Sequence, residues 1–127
     1  MNARREARAA RGFAGRLAGR RGELLAALWL LARGYRILGF RLQTPQAEID
    51  ILALRGRTLA VVEVKRRTTL AAAMEAVTPD QRARLRRAGA SLAARRPALA
   101  GASVRLDLMA LAPGRLPVHI PDAWKGA

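Results

Sequence analysis

The first regular pattern of apolar positions begins at Gly22. Leu24, Leu25, Leu28, Leu31 and Ala32 fall at helical spacing, and Gly34 is placed to stop the helix. Glu23 falls in its first turn, where a carboxylate favours the N-terminal dipole. The period then changes to that of strands. Tyr35 to Leu42, Ala47 to Leu54 and Thr58 to Arg66 read as three strands, the last two joined by the tight turn Arg55-Gly56-Arg57. Helical spacing returns over Ala71 to Val77, and a longer helix opens at Thr78-Pro79-Asp80, where Thr78 suits the N-cap and Pro79 the first position. It runs to about Arg95 and stops before Pro97. Its apolar side is Leu85, Ala88 and Leu92, which turns its arginines to solvent. Val104, Leu106, Leu108 and Ala110 alternate as a fourth strand, Pro113-Gly114 turns the chain, and Leu116 to Ile120 reads as an edge strand. Residues 1–20, rich in Arg, Ala and Gly, predict a flexible or loosely helical basic arm. The order of helix, three strands, helix and one or two strands predicts a single α/β domain over residues 21–127, a mixed sheet flanked by helices in two or three layers.

Composition narrows the chemistry. The chain has 127 residues, 51% of them hydrophobic, enough for a folded core. It carries 24 Lys and Arg against 9 Asp and Glu, a net charge of +15. Only Lys65 and Lys125 are lysines. A coding bias accounts for Arg in place of Lys but not for the excess of bases, which calls for an acidic partner, nucleic acid first. There is no Cys and one His, His119. Disulfides, thiolate nucleophiles and Cys-bound zinc are excluded, and Ser-His-Asp or multi-His chemistry is argued against. Any metal would be held by carboxylate oxygen, which suits Mg²⁺, Mn²⁺ or Ca²⁺. The longest apolar run, Leu24 to Ala32, falls far short of the roughly 20 residues of a membrane span. The first 21 residues hold seven Arg and one acid, a transit-peptide-like composition that we read as a basic arm. No membrane partner and a cytoplasmic location are expected.

The chemistry lies in Glu48-Ile49-Asp50-Ile51 and Val62-Glu63-Val64-Lys65. Alternation puts Glu48 and Asp50 on one face of their strand and Glu63 and Lys65 on one face of the next. A two-residue Gly56-Arg57 loop pairs Arg55 with Thr58, so that paired numbers sum to 113. Asp50 then lies opposite Glu63, and Glu48 opposite Lys65; a slip of one residue would oppose Glu48 to Glu63 instead. Like charges in that position destabilise a sheet, and a divalent cation is one reason to keep them. Asp50 and Glu63 would hold Mg²⁺ or Mn²⁺, with the carbonyl of Val64 as a third ligand and Glu23 completing the shell directly or through water. Lys65 would orient or activate the water that attacks a phosphodiester.

Other polar residues have plainer roles. Glu48 is expected to pair with Lys65 or Arg66, and Asp107 to bond a neighbouring Arg or a helix terminus. His119 is expected at the surface or partly buried, and Trp29 and Trp124 as packing residues. The second long helix carries Arg82, Arg84, Arg86 and Arg87, with Arg95 and Arg96 at its end, against Asp80 alone, and such a face repels itself unless it binds a polyanion. Arg82 and Arg86 on that helix, with Arg66 and Arg67 beside Lys65, are the candidate phosphate contacts. Aromatic residues are only 4%, which leaves base-stacking platforms poorly supplied.

Asp50, twelve intervening residues and then Glu63-Val64-Lys65 resemble the D…ExK motif of the PD-(D/E)XK nuclease superfamily. More closely, the chain is similar to the YraN family of small bacterial endonuclease-like proteins over roughly residues 20 to 124. Gly22-Glu23 with the helix ending in Gly34-Tyr35-Arg36-Ile37-Leu38, Ala76-Val77-Thr78-Pro79 and Arg105-Leu106-Asp107-Leu108 add to the resemblance. It implies a restriction-endonuclease-like core and a Mg²⁺-dependent endonuclease acting on DNA rather than RNA. It also implies kinship with archaeal Holliday junction resolvases, whose dimers suggest a homodimer. The family's usual Gly before Glu48 is Ala47 here, and its usual Lys on the second helix is Gln81. A non-catalytic nucleic-acid binder of the same fold, or a basic assembly factor docking on ribosomal RNA, would use the same basic surface.

Overall fold

A computed structural model of the chain describes residues 22–126; the predicted basic arm lies outside these. Helix α1 (residues 22–32) is followed by strands β1 (Arg36–Gln43), β2 (Glu48–Arg55) and β3 (Thr58–Arg66), each within one residue of its predicted span. Helices α2 (Leu70–Glu75) and α3 (Pro79–Arg95), a 3₁₀ turn (Pro97–Leu99), β4 (Ser103–Leu111) and the short β5 (Val118–Ile120) complete the order. The strands form one open five-stranded mixed sheet in chain order, β3 and β4 parallel and the other neighbours antiparallel. Two antiparallel hairpins need only short loops, while the parallel β3–β4 step needs a crossover, which α2 and α3 supply.

The local signals are those the sequence offers. Gly34, at φ 87°, closes α1 with its amide on the Leu31 carbonyl at 3.0 Å. The loop between β2 and β3 has only its first residue, Gly56, at positive φ (59°), the pattern of a Gly-first primed turn. Thr78 caps α3 in a reciprocal box: its hydroxyl accepts from the Gln81 amide at 3.1 Å, and the Gln81 side chain accepts from the Thr78 amide at 3.3 Å.

Helices cover both faces of the sheet, giving three layers. On one face, Leu52, Leu59, Val61, Leu106 and Leu108 pack against Ala73, Val77, Leu85 and Ala88 of α2 and α3. On the other, Ile51, Ala53, Ala60, Val62 and Met109 pack against Ala26 and Leu30 of α1 and against Tyr35. This corrects the expected apolar face of α1. Its buried stripe is Gly22, Ala26, Ala27 and Leu30, small residues that let the helix lie close to the sheet, while Leu24, Leu25, Leu28 and Leu31 face outward and are exposed. Close approach also governs α3. A Cβ on Gly89 would stand 2.6 Å from Val61 Cγ2 and 2.8 Å from Val104 Cγ1, so a bare backbone sets the spacing of helix and sheet there.

On the α1 face, Asp107 is fully buried and fully bonded. It accepts from Arg105 Nε at 2.7 Å and Nη2 at 2.8 Å, from the Asp122 amide at 3.0 Å, and lies 2.9 Å from His119 Nε2. Arg105 also donates to the Tyr35 hydroxyl. Asp107 thus bonds a neighbouring Arg as expected. His119 is partly buried, one of the two placements expected, its side chain 4% exposed because the short β5 lays it against Asp107 and edge-on to Tyr35. Trp124 is buried, its indole donating to the Met74 carbonyl at 3.2 Å.

Two substitutions test this packing. Gly89→Ala should cost about 1–3 kcal/mol through overpacking against Val61 and Val104, read as a lower urea midpoint. Asp107→Ala, which strands the Arg105 guanidinium, should cost on the order of 3 kcal/mol in the same measurement.

Candidate functional site

The site is made where β2 and β3 part. Their pairing follows the predicted register, Arg55 with Thr58 through Ile51 with Val62. Beyond that pair the ladder stops. The Val64 amide donates to Asp50 Oδ2 at 2.9 Å, so a side chain takes the place of a strand carbonyl. The outer end of β2 stays with β1, Glu48 beside Gln43, and the outer end of β3 stays with β4, Lys65 beside Ala110. Continuing the register sets Asp50 level with Glu63.

The two carboxyls are within hydrogen-bonding reach of one another. Glu63 is only 7% exposed. Burial first, and then the Asp50 charge, push its pKa up from 4.5 to about 7, although Lys65 opposes the shift. Asp50 is raised too, by burial, with the Val64 amide, Glu63 and Lys65 acting against it. Lys65 Nζ lies 3.3 Å from Glu63 Oε1. The expected partnership of Lys65 with Glu48 is therefore replaced by one with Glu63, since the parting of the strands carries Glu48 away toward β1.

Above these residues is a cavity of about 380 Å³, lined by Gln46, Glu48, Asp50, Glu63 and Lys65 from the sheet side and by Gln81, Arg84 and Leu85 from α3. It combines three carboxyl groups with two cations. Asp50, Glu63 and Lys65 are brought together as the sequence suggested, and Glu48 joins them at the rim. Glu23 does not line the cavity: its carboxylate takes Arg41 Nε at 2.8 and 3.0 Å. Among the described residues, no three of His, Asp and Glu gather as a metal-ligating cluster.

The predicted phosphate contacts lie elsewhere. Strand alternation sends Arg66 to the face opposite Lys65, in a hollow with Leu25, Leu111 and Arg115. Arg67 leaves the strand, its amide on the Leu111 carbonyl at 3.0 Å, and flanks a groove with Leu70, Leu116 and Val118. Arg82 is half-buried over the Trp124 ring, 5.6 Å from its centroid, on the flank of α3 turned away from the cavity, and Arg86 one turn on is exposed. Arg84, on the other flank, is the arginine that reaches the cavity. Its place follows from the helical wheel: it is three residues from Gln81 and one from buried Leu85, some 200° around from Arg82.

The model of a family described as "Uncharacterised protein family UPF0102" matches residues 22–111. A UPF0102 protein of Caulobacter vibrioides (strain NA1000 / CB15N) is 64% identical over 120 residues, 94% of this chain and 96% of that protein. One from Caulobacter sp. (strain K31) is 69% identical over 115 residues, 91% and 83% of the two chains. One from Paramagnetospirillum magneticum (strain ATCC 700264 / AMB-1) is 50% identical over 111 residues, 84% and 86%. The chain belongs to the UPF0102 family.

The proton on Glu63 gives the fold a pH dependence of definite sign. The unfolded chain releases this proton near 4.5 and the folded one near 7, so in the presence of a chelator stability should fall as pH rises through that window. Glu63→Gln, which offers a donor to Asp50 without a charge, should flatten the dependence. Melting temperature against pH for the two proteins checks this; equal slopes would show that Glu63 is not buried as a proton carrier.

Proposed function

We propose that this UPF0102 protein is a metal-dependent phosphodiesterase of the restriction-endonuclease-like kind, acting on nucleic acid and on DNA rather than RNA. The observation that carries the reading is the carboxyl pair Asp50–Glu63, held together in a polar cavity with Lys65 against it. A fold gains no stability from two acids so placed, and a perturbed pair in a cleft marks a working site. The D…ExK order around it and the net charge of +15 point to a phosphodiester as the thing worked on.

The donors fit a hard divalent cation. Mg²⁺ is commonly held by one or two carboxylates, keeping waters and substrate phosphate oxygens for its remaining positions, so a third acidic ligand is not required. Asp50 and Glu63 would hold it, with the Val64 carbonyl as a further oxygen. When bound, such an ion polarises the phosphate and lowers the pKa of an adjacent water. The chain's own residues do the rest. Glu63 must release its proton to bind, which makes occupancy favour alkaline pH. Lys65, already against Glu63, is placed to orient the attacking water and to offset the charge that develops on the phosphate. Arg84, on the opposite wall, anchors the phosphodiester across the cavity. Water's oxygen forms the new bond to phosphorus as the bond to the leaving sugar oxygen breaks, and the proton passes to that oxygen.

The test is cleavage of linear duplex, branched and single-stranded DNA, and of structured RNA, with Mg²⁺ or Mn²⁺. DNA should be cut only with the ion, and Asp50→Ala, Glu63→Ala and Lys65→Ala should each lower the rate by at least about 100-fold. Equal divalent-ion binding by wild type and Glu63→Ala would overturn the metal site. Salt-sensitive DNA binding with no cleavage under any condition would leave a non-catalytic binder of the same fold.

A further inference from the structure

One ion pair beside the cavity has no part in the mechanism above. Arg41 on β1 falls between the pairs Phe40–Ile51 and Leu42–Ile49, which sets it level with Asp50 on the neighbouring strand. It is also one of two non-glycine residues at positive φ among those described, at 48°. The other, Asp122, gives its amide to Asp107 in the buried network. A left-handed L-residue costs on the order of 1 kcal/mol, and such strain concentrates where a side chain must be aimed. Here it breaks the alternation of β1, just after the register shift between Ile37 and Gly39.

The aim is visible in how the guanidinium is held. Both oxygens of Glu23, on α1, take the same nitrogen, Nε. The terminal nitrogens Nη1 and Nη2 have no protein partner among the described residues, and the side chain is 41% exposed. The guanidinium is thus gripped at its neck. The charges of Glu48 and Asp50 also act on Arg41, so the fork stands within electrostatic reach of the cavity. A planar fork with unpaired donors beside a phosphodiester site matches two oxygens of a phosphate.

We propose that Arg41 binds a backbone phosphate of the nucleic acid, adjoining the one in the cavity, and that Glu23 is the positioning residue that holds its fork toward solvent. The proposal rests on the phosphodiesterase reading and deepens it, since it places a second phosphate of one strand along β1.

The experiment is equilibrium binding of the full chain to a labelled DNA duplex in chelator, at several salt concentrations. Each phosphate contact contributes about 0.9 to the slope of log affinity against log salt. Arg41→Gln should reduce that slope by about 1 and weaken binding several-fold at moderate salt, while Arg41→Lys should keep the slope. Glu23→Gln should weaken binding with the slope unchanged, since the cation remains but is no longer aimed. Arg36→Gln, removing the same charge from the opposite end of β1, should leave the slope as in wild type. Arg41→Gly, which removes the guanidinium and relieves the backbone strain, serves if Arg41→Gln does not fold. A slope equal to wild type in Arg41→Gln, or an equal loss in Arg36→Gln, overturns the role of Arg41 and leaves the carboxyl-pair reading standing. Absence of DNA binding by the wild type overturns both.

Discussion

Past the Ile51–Val62 pair, the Val64 amide turns from the backbone of β2 to the carboxylate of Asp50. Much else follows from that bond. A carboxylate spans the gap that a strand carbonyl has left, so β2 and β3 can separate without orphaning a buried donor. The separation makes room for a cavity under α3 and leaves one oxygen of Asp50 to face Glu63. It also divides loyalties: the end of β2 belongs to β1, where Arg41 stands, and the end of β3 to β4. At this fork of the sheet two strands, the loop before β2 and a helix contribute side chains to one space.

The two buried acids among the described residues are opposites. Asp107 is pushed up by burial, but His119, Arg105 and the Asp122 amide more than offset that and hold its carboxyl below the ordinary range. It is ionised, saturated and structural. Glu63 has one cation at 3.3 Å and a second carboxyl beside it, and is held above the ordinary range. A group left unsatisfied in one protonation state is a group prepared to exchange its proton for something else. The same sheet therefore keeps a settled acid on its α1 face and an unsettled one on its α3 face.

Much of this is written locally in the chain. The two-residue Gly56 turn fixes the β2–β3 register, and with it the meeting of Asp50 and Glu63; Thr78 and Pro79 fix the start of α3. What could not be read depends on relations between elements. Leu24, Leu25, Leu28 and Leu31 of α1 suggest its buried face by their size, yet Ala26 and Ala27 are buried with Leu30, because close approach to a twisted sheet favours small residues over large. The arginines of α3 look alike along the chain but divide between two flanks, Arg84 toward the cavity and Arg82 toward Trp124, according to how the helix lies on the sheet. Arg41 was invisible as a site residue since period-two alternation fails at a left-handed position. Glu23 stood out, but its partner did not.

The topology also divides the site into a local part and a distant one. The β1–β2–β3 meander closes through short loops, whereas β4 reaches β3 only after α2 and α3 have been made and folded across. The floor of the site, Asp50 and Glu63, is therefore joined by a local hairpin, whereas its roof, α3, belongs to the long crossover that brings β4 to β3.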